Sequence, residues 1–315
     1  MKLNSKIYVA GHNGMVGSSI IRRLKELGYS NIITSDRNKV NLTNQMHVQS
    51  FFVNEEPEYV FLAAAKVGGI KGNDDYRADF IYDNVMIQSN VIKCCHDFQV
   101  KKLLFLGSSC IYPKMCQQPI KEDYLLSGKL EPTNDAYAIA KITGIKMCQD
   151  FNKQYGDNFI SLMPTNLYGP NDNYDLNNSH VLPAMIRKFH EAKLDNKESV
   201  EIWGTGTPMR EFLYVDDLAD ACVHLMNNYN SPEIVNIGTG IDITIKELAN
   251  TVSEVVGYEG NIHFNTDMPD GTPRKLLDVS KLKELGWVYE TELKEGIEKS
   301  YNNYLELDMK NKISV

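Results

Sequence analysis

From residue 5 to about residue 110 the chain alternates short apolar runs with longer stretches whose apolar residues recur at helical spacing. That rhythm is the one a parallel α/β sheet produces. Four runs, Lys6–Ala10, Asn31–Ser35, Tyr59–Ala63 and Lys102–Gly107, are short, largely apolar and bounded by polar or glycine residues, as strands buried on both faces should be. Between the first two, Val16, Ile20, Ile21, Leu24 and Leu27 fall on one face of a helix, and Gly28 stands where a left-handed residue would end it. Beyond about residue 170 the pattern loosens: Asn171–Ser179 is polar and aperiodic, and the tail mixes short strand and helix signals. The expectation is an α/β chain, a doubly wound parallel sheet with a smaller mixed α/β domain. Phe212–Val215 and Glu233–Gly240 read as strands returning to the main sheet. Residues 1–170, with returning segments near 212–240, then form the larger domain, and 171–211 with 241–315 the smaller.

A chain of 315 residues with 43% hydrophobic content is long and apolar enough for a sizeable core. Its net charge of -8 argues against tracking a nucleic-acid backbone, which calls for clustered Lys and Arg. No apolar run is long enough to span a bilayer, and the first apolar stretch, Ile7–Ala10, is too short for a secretory signal. A cytoplasmic location is the expectation. The six cysteines form no C-x-x-C pair and no zinc spacing with histidine, so reduced thiols and no bound metal are expected.

The first chemical signal is Gly11-His12-Asn13-Gly14-Met15-Val16-Gly17, placed after the first strand and opening the first helix. Its glycines let the backbone turn tightly and approach a pyrophosphate, whose charge the helix N-terminus stabilises. This is the setting of a Rossmann dinucleotide site. At the end of the second strand such a site carries an acid to bind the free ribose of NAD, or an arginine to bind the 2'-phosphate of NADP. Both are here, as Asp36 and Arg37; Arg37 inclines the reading to NADP, and Asp36 leaves NAD open. Of 17 tyrosines only Tyr137 has a lysine at the fourth position after it, Lys141, one helical turn away on the same face. A lysine ammonium there is expected to lower the phenol's pKa, so that it exchanges a proton with a carbonyl oxygen. The fourth strand ends in Gly107-Ser108-Ser109-Cys110, 29 residues before Tyr137, which brings a serine hydroxyl toward the same carbonyl.

A glycine-rich first turn, a serine ending a later strand and this Tyr and Lys pair, in that order, resemble the extended short-chain dehydrogenase/reductase family, whose members act mainly on nucleotide sugars. The resemblance covers nearly the whole chain and implies Ser108, Tyr137 and Lys141 as the catalytic triad, with Tyr137 the proton donor and Lys141 also holding the nicotinamide ribose. The stretches Ala63–Ile70, Gly107–Pro113, Pro164–Pro170 and Asn178–Pro183 look like one branch of the family. That branch epimerises C3 and C5 of GDP-4-keto-6-deoxy-D-mannose and then reduces C4 with NADPH. This likeness implies Cys110 and His180 as the base and acid of epimerisation. Protons flanking a ketone are acidified by it, a thiol beside a cation serves as base, and an imidazole titrates in the range an acid needs.

The same likeness implies NADP(H) contacts from Gly11, Asn13, Gly14, Met15, Val16 and Gly17, from Arg37, and from Leu106, Gly107 and Ser109 at the end of the fourth strand. Lys141, Pro164, Asn166, Leu167 and His180 complete that set. For the GDP-sugar it implies Lys188, Trp203 and Arg210, with Asp270 and Lys275 as further candidates, and it implies a homodimer formed through helices flanking the Tyr and Lys helix. The chain departs from the pattern at Asn13, where many members carry an arginine that helps bind the 2'-phosphate. Rival readings are an NAD-dependent UDP-hexose 4-epimerase, which needs neither Cys110 nor His180, and a 4,6-dehydratase, which carries an acid pair near the catalytic serine where this chain has Ser-Ser-Cys. A catalytically silent cofactor-sensing regulator is a third, and it would be expected to lose a member of the triad.

Overall fold

The computed structural model describes residues 1–176, 179–268 and 270–313. The first part runs β1 (Ile7–Ala10), α1 (Met15–Glu26), β2 (Ile32–Ile33), α2 (Gln45–Glu55), β3 (Tyr59–Leu62), α3 (Ile70–Asp75), α4 (Arg77–Asp97), β4 (Lys102–Leu106), α5 (Asp135–Tyr155) and β5 (Phe159–Pro164). There follow β6 (Asn166–Tyr168), α6 (Val181–Leu194), β7 (Ser199–Trp203), β8 (Met209–Tyr214), α7 (Val215–Asn228) and β9 (Val235–Ile237). The chain closes with β10 (Asp242–Thr244), α8 (Ile245–Val256), β11 (Asn261–Asn265), β12 (Arg274–Lys275), α9 (Ser280–Glu284) and α10 (Leu293–Ile313).

Among the described residues a six-stranded parallel sheet has the order β2-β1-β3-β4-β5-β9. Its inner strands β1, β4 and β5 are buried along their whole length, because α1 and α7 cover one face and α2, α4 and α5 the other. The edge strand β2 is short: the expected Asn31–Ser35 contracts to two half-buried isoleucines paired with Ile7 and Tyr8. Helix α1 buries Ile20 and Leu24 as its periodicity predicts, but Leu27 caps its end and stays exposed. Strand order reverses between β1 and β3, and the carboxyl ends flanking such a switch point form the ligand crevice of open α/β sheets.

The segment around Phe212–Val215 does not return to this sheet. Strand β8 instead pairs with β6 and β12 in parallel and with β10 antiparallel. The residue pattern of a short buried strand is the same in either sheet, so only partner choice separates them. Strand β9, by contrast, joins β5. A second core, with Tyr168, Leu182, Phe189, Leu248 and Ile297 at its centre, lies under α6, α8 and α10, while Leu277, Val279, Leu282 and Trp287 pack into the first. The chain therefore crosses between the two cores several times. Lys102 is buried, and its ammonium donates to the carbonyls of Leu225, Met226 and Tyr229 at the end of α7, which burial pays for by holding its pKa down at about 8. No helix among the described residues is long and apolar enough to cross a membrane.

Candidate active site

The turn after β1 is built for close approach. Gly11 has φ +88, and a Cβ there would lie 2.7 Å from the backbone of Ala64 in the loop after β3, so this corner of the switch point accepts no side chain. Gly14 is the N-cap of α1, offers no side-chain cap and is followed by no acid in the first turn. The N–H groups at Met15 and Val16 are thereby left to an anion, which fits the pyrophosphate of a dinucleotide. At the end of β2 the Asn13 amide donates to Asp36 at 2.9 Å, and His12 Nε2 lies 3.4 Å from the same oxygen. Asp36 and Arg37 are both exposed beside this turn. Leu106 and Gly107 end β4, with Ser109 buried just beyond, and Pro164 ends β5, with Asn166 and Leu167 on β6. These stand at the carboxyl ends of neighbouring strands.

Strand β4 breaks into a single tight turn, Ser109–Ile111, capped by the Ser108 hydroxyl, which accepts from the Cys110 N–H at 3.2 Å. Ser108 also hydrogen-bonds the Tyr137 phenol. Helix α5 carries Tyr137 and Lys141 on one face; Lys141 Nζ lies 5.8 Å from the Tyr137 ring centroid and 4.9 Å from that of Phe105, and donates to the Leu106 carbonyl at 2.7 Å. The expected lowering of the phenol by this lysine is not what the geometry gives. Burial first, and then the Cys110 sulfur, push Tyr137 up, opposed only by the Ser108 hydrogen bond. Burial holds Lys141 itself down at about 7, so near neutral pH it carries only part of a positive charge.

The Cys110 sulfur accepts from two donors at 3.5 Å each, the Lys275 ammonium on β12 and the Asn134 amide immediately before α5. His180 is the N-cap of α6, at the end of the polar stretch after β6. Its imidazole is surrounded by protein yet open to solvent, and that crowding, followed by the Lys275 cation, lowers its pKa. Lys275, read from sequence as a candidate for the nucleotide, thus faces both members of the expected acid and base pair. Asn178, which opened one of the motifs, lies outside the described residues.

Trp203, at the end of β7, is 53% exposed, unusual for an indole without a partner. The Lys188 ammonium sits 5.9 Å from its ring and donates to the Glu201 carbonyl at 3.1 Å. Arg210 on β8 is half-buried, its pKa lowered by burial against the pull of Asp270 and Glu131. Asp270 accepts from the Thr205 N–H at 2.7 Å and the Thr205 hydroxyl at 2.9 Å, which fixes the turn after Trp203. Together these offer a flat stacking face and two cations, what a nucleoside diphosphate requires.

Two residues escaped sequence reasoning. Glu211 is fully buried; its carboxylate accepts from the N–H groups of Gly240 (2.7 Å) and Leu277 (3.0 Å), and its carbonyl from Asn166 at 2.7 Å. It ties β6, β8 and the chain after Lys275 into one unit. Nothing local marks it. Asn134 did carry a signal, since it precedes Tyr137 by three residues and shares its helical face.

Comparison with known proteins identifies the family. Residues 7–238 match the model of the NAD dependent epimerase/dehydratase family. GDP-L-fucose synthase 1 of Arabidopsis thaliana is 57% identical over 302 residues, 96% of this chain and 94% of that protein. GDP-L-fucose synthase of Escherichia coli K12 is 52% identical over 310 residues, 96% of this chain and 97% of its own. The solved structure of MlghC, a GDP-mannoheptose C4 reductase from Campylobacter jejuni with NADP bound, superposes with a TM-score of 0.90 at 44% identity, covering 97% of this chain and 99% of that one.

Proposed function

Because this chain belongs to the NAD-dependent epimerase/dehydratase family, the extended short-chain dehydrogenases/reductases, we propose that it converts GDP-4-keto-6-deoxy-D-mannose to GDP-L-fucose by epimerising C3 and C5 and reducing C4 with NADPH. The observation that carries the reading is Lys275, one cation facing both a thiol and an imidazole beside the Ser108 and Tyr137 pair. A plain reductase or a 4-epimerase has no use for that arrangement. The identity to GDP-L-fucose synthases over nearly the whole chain supports the substrate, and a related GDP-sugar reductase with NADP bound supports the cofactor.

In this reading the Cys110 thiolate removes the proton at C3 or C5. An S–H bond forms, the C–H pair moves into the enolate, and the oxygen at C4 is stabilised by the Tyr137 and Ser108 hydroxyls. Protonated His180 returns a proton to the opposite face of the carbon. The glycine turn with the α1 N-terminus would hold the pyrophosphate of NADPH, which when bound would supply the hydride for the ketone. Tyr137 gives its proton to the C4 oxygen as the ketone becomes an alcohol, and its raised pKa keeps that proton in place until then. Trp203 stacks on the base while Lys188 and Arg210 meet the diphosphate.

The larger domain, residues 1–170 with segments near 212–240, would hold the cofactor, and 171–211 with 241–315 the sugar nucleotide. A homodimer through helices flanking the Tyr and Lys helix belongs to the same reading; α4, which packs against that helix, leaves Tyr82 63% exposed. The cytoplasm, where nucleotide sugars and NADPH are made, is the fitting compartment.

The test is NADPH oxidation by purified protein given the 4-keto sugar nucleotide, with mass and NMR analysis of the product formed in deuterated water. Deuterium at C3 and C5 of a reduced GDP-sugar is the expected outcome, lost with the oxidation in Tyr137→Phe. Oxidation without deuterium would make the protein a C4 reductase only, and conversion of UDP-galactose without added cofactor would make it a 4-epimerase.

A further inference from the structure

Asn134 occupies the N-cap position of α5, where an asparagine ordinarily turns its side chain back to a backbone N–H of the first turn. Here it makes no such cap. Its amide N–H instead donates to the Cys110 sulfur at 3.5 Å, and its amide oxygen is buried with no hydrogen-bond partner. A buried acceptor left empty is rare in a folded chain and marks a place where something else supplies the donor. The amide N–H faces the reacting sulfur rather than the helix. Its N–H joins Lys275 as the second donor to the sulfur.

We propose that Asn134 is a positioning residue of the epimerisation, its amide N–H holding the Cys110 sulfur toward the carbon it deprotonates. The proposal rests on the reading of Cys110 as the base. Charge on sulfur is stabilised by both donors, one cationic and one neutral.

The experiment compares Asn134→Ala and the isosteric Asn134→Asp with the wild-type enzyme. It follows alkylation of Cys110 by iodoacetamide at neutral pH, read by peptide mass spectrometry, solvent deuterium entry at C3 and C5, and NADPH affinity. Alkylation and exchange at both carbons are expected to fall about tenfold, as loss of one hydrogen bond at a reacting centre implies, with NADPH affinity unchanged. Wild-type alkylation and exchange in both variants would overturn the proposal. Equal loss of NADPH affinity and exchange in both would also overturn it, since that is the mark of a helix start that merely unravels. Retained exchange in Cys110→Ser is a separate result and removes Cys110 as the base, whereas unshifted alkylation in the Asn134 variants removes the contact alone.

Discussion

Replacing Lys275 by methionine removes the one charge that faces both Cys110 and His180 while keeping the length of the side chain. The ammonium stands 3.5 Å from the sulfur. At that separation a pair of unit charges is worth about 1 kcal/mol at the dielectric of water and about 5 kcal/mol at an effective dielectric of 20. Lys275 and Cys110 are both half-buried, which puts the contribution nearer the lower figure, at about 2 kcal/mol, or roughly thirty-fold in a rate that depends on negative charge at the sulfur. Alkylation of Cys110 by iodoacetamide and deuterium entry at C3 and C5 should therefore both slow about thirty-fold. The imidazole should hold its proton more readily: a cation that lowers the His180 pKa is gone, so its NMR titration should move up. NADPH binding should not change. Slowed exchange with wild-type alkylation and an unmoved histidine would refute the reasoning, because Lys275 would then act on the substrate alone.

Three further outcomes follow from other parts of the site. Burial holds Lys141 at about 7 against an ordinary 10.5, so between those values the unfolded chain binds more protons than the fold, and stability rises with pH. Urea unfolding of the free enzyme should show a gain of about 2 kcal/mol from pH 7 to 9 through this residue, to which Lys102, at about 8, adds in the same direction; Lys141→Met should flatten the part that belongs to Lys141. Asp36→Ala removes a carboxylate from the turn where a 2'-phosphate would sit and frees the Asn13 amide from it. It should raise the preference for NADPH over NADH by about tenfold in kcat/KM, and an unchanged ratio would place the discrimination elsewhere. Trp203→Ala should raise KM for the GDP-sugar about ten- to a hundred-fold at nearly constant kcat, the signature of lost stacking common to ground and transition states; a fall in kcat alone would contradict that role.

The parts of the site that were legible in the sequence are those built from neighbours along the chain. The turn from Gly11 to Gly17 needs only a strand before it and a helix after it, and Tyr137 and Lys141 share a face because they are four residues apart. Asn134 obeys the same rule and was legible in principle. The electrostatic state of those groups was not. That Lys141 sits at about 7 and that Tyr137 is raised rather than lowered depend on how completely Phe105 and the Leu106 carbonyl enclose the lysine, which no spacing records.

What the sequence by itself determined was the parallel sheet from β1 through β4, the phosphate turn, and the order of serine, tyrosine and lysine along the chain, because hydrophobic period and glycine placement act locally. The tertiary structure decided which sheet β8 joins and which side chains meet at Cys110. Lys275 reaches that sulfur from 165 residues away, on a two-residue strand paired with β8 and tied to it through Glu211, whose carboxylate binds the N–H of Leu277. A charge acts through distance in space, and only the packing of β8 against β6 and β12 sets that distance.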